Sequence, residues 1–257
     1  MRVDKVSGRA DLSAFVNLPF TLYRNDSNWV PPLKADVRKL LDENHHPFYD
    51  GGREAEIELF LARDGRQVVG RIAAILNHAH NRAHEENVGF FGFFETVQRP
   101  EVVNALLAAA EECAFERGLD AVRGPANPST NYECGLLVEG FDSPPVLMMT
   151  YNPPWYADLI EGAGYAKAKD LYAYISPVHD ASLERLKRLG ARAVRRNPGL
   201  TTRSADLKNF DTEVALIKEL YNAAWEKNWG FVPVSSAEFD ALAGELKDLV
   251  HPDLVRI

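Results

Sequence analysis

Cysteine is almost missing from this chain. Two thiols, Cys113 and Cys134, among 257 residues exclude a disulfide framework and a cysteine-built metal centre. They fit a reducing compartment. No apolar run approaches the roughly 18 residues that span a bilayer, and residues 1–8 lack the apolar core of a signal peptide, so the expectation is a soluble, cytoplasmic protein. A basic excess is missing too: 29 Lys and Arg against 37 Asp and Glu leave a formal charge of -8, which disfavours a dedicated nucleic-acid binder. What is present is a 46% hydrophobic share, enough for a packed core.

Residues 2–6 suit a short strand, and Asp11 is the expected cap of a helix through Leu12, Phe15, Val16 and Phe20. After Asn28-Trp29-Val30-Pro31-Pro32, the spacing of Leu33, Val37, Leu40 and Leu41 predicts a second helix. Residues 55–76 read as an antiparallel hairpin: Ile57, Leu59 and Leu61 alternate with polar partners, and Asp64-Gly65 supplies the turn. His45 and His46, and then His78, His80 and His84, are expected in loops, with no carboxylate or cysteine to complete a metal set. Residues 88–96 hold four phenylalanines and two glycines, the pattern of a central strand with a bulge or a close backbone approach, ending near Glu95. Pro100 opens a helix and Gly118 stops it. Residues 120–123 form the next strand, which makes a right-handed crossover unit.

The chain is organised around residues 120–174. Asn127, Ser129, Thr130, Asn131, Tyr132 and Glu133 follow a strand directly, where polar side chains on a rigid scaffold can face a ligand. Beside Pro125 and Pro128, Asn and Ser equally serve turn backbone. Cys134 has no histidine near it in sequence to activate a nucleophile. Asn152 and Pro153 precede a helix that stops at Gly164, and residues 170–175 read as a last strand.

This order of elements, with Asn152, a helix and then Gly164-Tyr165, resembles the GNAT superfamily of acyl-CoA-dependent N-acyltransferases. More closely, Asn28-Trp29-Val30-Pro31-Pro32 and the stretches at 124–129, 135–141 and 151–156 resemble a bacterial group of uncharacterised GNAT-like proteins. The resemblance implies an α/β (α+β) fold, a mixed, mostly antiparallel sheet flanked by helices. It also implies transfer of an acyl group, acetyl above all, from acetyl-CoA or another acyl-CoA to an amine on a small-molecule or peptide acceptor. Two splayed parallel strands would hold the pantetheine arm beside Phe93 and Phe94, with Gln98 and Arg99 at the pyrophosphate and Asn152 in the closing segment. The family's Q/R-x-x-G-x-G/A loop falls on residues 96–102, where the glycines are absent and Pro100 removes an amide donor. Glu95 is the implied base. Tyr156, one turn before the family's tyrosine position at Ile160, is the candidate acid. Asn127, Ser129, Asn131, Tyr132 and Glu133 would line the acceptor pocket.

Residues 181–196 predict a helix with a basic side, an anion or RNA surface or else a solvated bridge. Beyond it Leu220-Tyr221 and Asn228-Trp229 through Pro233 repeat Leu22-Tyr23 and Asn28-Trp29 through Pro32. The expected organisation is a GNAT-like domain over 1–178, a basic bridging helix and linker over 179–199, and the beginning of a second, truncated repeat over 200–257. Two alternatives stand beside the transferase. One is a non-catalytic module that binds a ligand or partner through residues 127–133. The other is a Fem-type aminoacyl-tRNA-dependent transferase, with tRNA as a partner of the basic helix.

Overall fold

The computed structural model describes residues 1–175, 180–199, 201–247, 251 and 254–257. They divide into two compact units, Met1–Lys169 with Asn222–Glu238, and Asp170–Tyr221 with Phe239–Ile257.

The first unit is α+β. Five strands lie in sequence order in one sheet: β1 (Arg2–Lys5), β2 (Ala55–Asp64), β3 (Gln67–Asn77), β4 (Val88–Thr96) and β5 (Ala121–Arg123). The first four pair antiparallel, while β4 and β5 pair parallel across the helix between them. The result is a mixed, mostly antiparallel sheet flanked by helices. Helices α1 (Gly8–Leu22) and α2 (Lys34–Leu40) follow β1; α3 (His78–His84) follows β3; α4 (Pro100–Phe115) is the crossover. Beyond β5 come a small ladder of β6 (Ala126–Asn127) and β7 (Glu133–Cys134), then α5 (Tyr156–Gly162).

Alternation along the strands builds two cores, one on each sheet face. Ile72, Ala74 and Leu76 pack with Phe91, Phe94 and the α4 stripe Val103, Leu106 and Leu107. Ala73 and Ile75 pack the other way, with Phe15 and Val16 of α1, Phe90 and Phe93. Each fully buried large side chain is worth roughly 1.5–3 kcal/mol, so the two layers fix the sheet between them. The alternation breaks on β4, as the register of β2 with β3 does between Ala62 and Arg63. Phe90 and Phe93 share a face, three residues apart, and the register with β3 shifts between Arg71 and Ala73. Phe93 has φ of 48° at this bulge. Beside it Gly92 is forced by space: a Cβ there would lie 1.7 Å from the Ala126 carbonyl oxygen. The extra residue turns Glu95 toward the α1 face, where unbroken alternation would have turned it to the α4 face.

Several expectations need correction. The α1 cap is Ser7, with Asp11 accepting its N–H at 3.1 Å. His78, His80 and His84 lie on α3, not in a loop, because Asn77 caps the helix through the His80 N–H. Residues 170–175 form no strand, since none of the strand pairs reaches them to take their backbone hydrogen bonds. Residues 222–238 belong with the first unit. Thr130 Oγ1 donates to the Gly230 carbonyl at 2.5 Å, Asn131 Nδ2 to that of Val232 at 2.9 Å, and the Tyr132 hydroxyl to Glu238 at 2.9 Å.

In the second unit, α6 (Asp180–Arg196) precedes an extended stretch in which Arg203 and Ile257 exchange both backbone hydrogen bonds, at 2.9 and 3.0 Å. Between those two stretches run α7 (Phe210–Trp225) and α8 (Ser236–Leu246), whose residues 222–225 and 236–238 count with the first unit. Leu200 and residues 176–179 fall outside the described residues.

Candidate active site

Glu95 lies directly across the ladder from Arg71, and opposed residues put their side chains on one face. Arg71 is 7% exposed; its Nη1 donates to the Phe15 carbonyl at 2.7 Å, and its guanidinium sits 4.8 Å over the Phe15 ring. Its Nε has no hydrogen-bond partner among the described residues. Burial pulls the Arg71 pKa down, and Glu95, first among the opposing charges, holds it up. A buried cation requires such a carboxylate nearby.

Two tyrosines converge on the same carboxylate. The Tyr23 hydroxyl donates to Glu95 Oε2 at 2.7 Å and the Tyr156 hydroxyl donates to it at 2.8 Å, while Tyr156 accepts the Thr96 N–H at 2.9 Å. Tyr23 ends α1 and stacks on Trp29 at 5.1 Å, with Tyr151 edge-on at 6.0 Å. Both hydrogen bonds fall on Oε2, and Oε1 accepts none from the described residues.

Glu95 is only half-buried, yet protein crowds it enough that desolvation dominates its titration. Desolvation holds its carboxyl above the usual range; Arg71 and the two tyrosine donors oppose this, and Glu133 adds to it. Burial and then Glu95 itself push both tyrosines upward, so both stay neutral and remain donors. A carboxylate whose pKa is raised, with one oxygen held by two donors and the other accepting none from the described residues, is equipped to take a proton from an amine.

The other sequence-derived residues are placed as follows. Phe93 and Phe94 are core side chains on opposite faces, Phe94 edge-on to Tyr156 at 5.2 Å. The β4–β5 pairing ends at Phe90 and Arg123, where β5 ends, and residues 124–127 stay packed against β4: a Cβ on Gly124 would lie 2.4 Å from the Phe91 carbonyl oxygen. There the Phe93 N–H donates to Asn127 Oδ1 at 2.6 Å. Gln98 is exposed. Arg99 is held by Asp64 at 2.8 Å and Glu101 at 2.7 Å. With Pro100 offering no N–H and two carboxylates already on Arg99, the start of α4 does not fit a pyrophosphate.

Asn152, 5% exposed, pairs like a strand with Leu137: its Oδ1 accepts the Leu137 N–H at 2.7 Å and its Nδ2 donates to the Leu137 carbonyl at 3.1 Å. Ser129 and Asn131 are buried, and Ser129 Oγ accepts the Asn131 N–H at 3.2 Å. Glu133 reaches solvent, but surrounding protein raises its pKa, with the Asn127 hydrogen bond opposing. Burial also raises the pKa of the Cys134 thiol.

Sequence reasoning missed Tyr23 and Arg71. Arg71 carried a signal: it is the charged residue inside the apolar run of β3, and a cation there demands a partner on the facing strand. Tyr23 carried none, since it reaches Glu95 through a contact 72 residues apart in the chain.

No family model matches the chain. It is 37% identical over 258 residues to the bacterial ceramide synthase of Caulobacter vibrioides (strain NA1000 / CB15N), covering 99% of this chain and 65% of that protein. It is 35% identical over 247 residues to protein YghO of Escherichia coli (strain K12), covering 96% of this chain and 62% of that one. The chain thus spans less than two thirds of the length of these curated relatives. A solved aminoglycoside acetyltransferase from an uncultured soil metagenomic sample aligns with a TM-score of 0.42 at 13% identity, covering 69% of this chain and 96% of that chain.

Proposed function

We propose that this protein is an N-acyltransferase in which Glu95 is the base, moving a long-chain acyl group from a CoA thioester to the amine of an apolar acceptor of the sphingoid type. The observation that carries the reading is the half-buried Glu95 carboxylate, anchored through Oε2 by two neutral tyrosines, with Oε1 accepting no hydrogen bond from the described residues. The acceptor class rests on the relative named as a ceramide synthase and on the apolar character of two loops beside Tyr23. Asn28 Nδ2 donates to the Phe141 carbonyl at 3.0 Å and the Tyr151 hydroxyl to Asp26 at 2.7 Å, joining these loops. They expose Val30, Leu33, Val138, Val146 and Leu147, the last at 74%.

In the proposed reaction Glu95 Oε1 takes a proton from the acceptor ammonium. The freed amine nitrogen attacks the thioester carbonyl carbon, the new C–N bond forms, the C–S bond breaks, and the thiol leaves with a proton from the nitrogen. Tyr23 and Tyr156 keep Glu95 ionised and oriented, while Arg71 offsets its charge. Glu133, hydrogen-bonded by Asn127, is assigned to the acceptor side.

The domain reading stays with the repeat: the 203–205 stretch, α7, α8 and 255–257 reproduce the order β1, α1, α2, β2, and in both cases the first and last members pair antiparallel. The closed start of α4 favours a second reading, a non-catalytic binding module. The same assay separates the two. Palmitoyl-CoA and sphinganine serve as probes, with thiol release and N-acyl product followed together. The Glu95→Gln variant is expected to lose about 10²–10⁴-fold in kcat/KM. Wild-type turnover in that variant refutes the base, and no product from the wild-type chain supports the module.

A further inference from the structure

We infer that α6 is an interfacial helix that docks the protein on an anionic lipid surface. Its six cations, Arg185, Lys187, Arg188, Arg192, Arg195 and Arg196, sit in a chain whose net charge is -8. At about 100° per residue they spread over one arc of the helix. Leu183, Leu186, Leu189 and Val194 fall within roughly 140° on the other side. Glu184 sits among the cations and is neutralised by Lys187 at 2.8 Å.

A helix that packed on its own protein would bury such an apolar stripe. Here Leu186 is 63% exposed, Leu189 52% and Val194 48%. Just before it in the same unit, Leu171, Tyr172, Tyr174 and Ile175 are exposed as well, up to 93%. Apolar and tyrosine side chains of this kind seat at a bilayer interface.

Charge selects the occupant. An RNA duplex or strand would use the cations and leave the leucines in water. A lipid surface with anionic headgroups uses both arcs at once, with cations against headgroups and the leucines about 5–10 Å into the acyl boundary. The helix is about 25 Å long, ample for that seating. The inference is independent of turnover, because membrane binding is read without substrate.

The test is flotation of the full chain with vesicles of phosphatidylcholine alone and of phosphatidylcholine with phosphatidylglycerol, at low and high salt. Binding is expected only with phosphatidylglycerol and is expected to weaken with salt. Arg188→Gln with Arg192→Gln and Arg195→Gln should weaken it on the order of 100-fold, at about fivefold per cation. Leu186→Ser with Leu189→Ser keeps every charge and should weaken it about tenfold or more. All these positions are exposed, and circular dichroism checks that the variants fold. No flotation with phosphatidylglycerol overturns the inference. So does a Leu-to-Ser variant that binds vesicles as wild type does, and so does a labelled RNA that displaces the vesicles while relying on the same arginines alone. Self-association that those leucine substitutions abolish, with vesicle binding unchanged, assigns the stripe to a second copy and overturns it too.

Discussion

Replacing Tyr23 by Phe removes one hydroxyl and nothing else. The Phe ring keeps the stack on Trp29, while Glu95 Oε2 loses the donor at 2.7 Å and keeps Tyr156. A hydrogen bond to a charged acceptor is worth about 1.5–3 kcal/mol, and the bond lost here favours the ionised carboxylate. Removing it raises the Glu95 pKa further, by roughly one to two units at about 1.4 kcal/mol per unit. The assay is a titration of the Glu95 side-chain carbon by 13C NMR, with the glutamine variant identifying its signal. The acid limb of kcat/KM should move alkaline by the same amount. An unchanged midpoint in Tyr23→Phe would refute the claim that the tyrosine tunes this carboxylate.

Glu95→Gln should flatten the pH dependence of stability. Because the folded pKa is raised, the native state holds its proton longer than the unfolded chain, and wild-type stability falls as pH rises from the ordinary carboxylate value through the folded one; denaturant midpoints of wild type should fall across that window and those of the variant should not. Gly92→Ala should abolish folding or cost several kcal/mol, since its Cβ has no room beside Ala126; a midpoint within about 0.5 kcal/mol of wild type would contradict the crossing of β4 by residues 124–127. At the other end of the sheet, burial holds the His80 imidazole below its usual range against the hydrogen bond with Glu86, whose carboxyl Arg123 brings down to about 2. Stability should therefore be lost in two steps as pH falls, first below about 6.5 as the unfolded chain takes up the His80 proton, then from the ordinary glutamate range downward. His80→Phe should remove the first step in thermal melts taken across that range.

How much of this was legible in the sequence depended on whether a signal was local. The hairpin over 55–76 and the crossover helix between Pro100 and Gly118 announce themselves through alternation, turn residues and end chemistry. The helix-flanked sheet followed from their order, and the bulge was marked by glycines in a phenylalanine-rich strand. Which way that bulge turned Glu95 was not written locally: it depends on the chain crossing at Ala126, which requires the fold. Asn127, Ser129 and Asn131 looked like pocket-lining groups because polar residues after a strand often are, yet Asn127 caps the Phe93 N–H and Asn131 binds the Val232 carbonyl. Their partners lie 34 and 101 residues away, beyond the reach of any local pattern. The strand expected at 170–175 had the right propensity, but no strand among the described residues pairs with it, and pairing decides strands more than propensity does.

The proposed proton-accepting role of Glu95 is tested most directly by chemical rescue. Glu95→Ala leaves a hollow beneath Tyr23 and Tyr156 in which formate can stand for the lost carboxylate. With palmitoyl-CoA and sphinganine, the variant should be nearly inert without formate and should regain turnover in a saturable way as formate is added, while wild type does not respond. An alanine variant that forms the amide at the wild-type rate without formate would contradict the account.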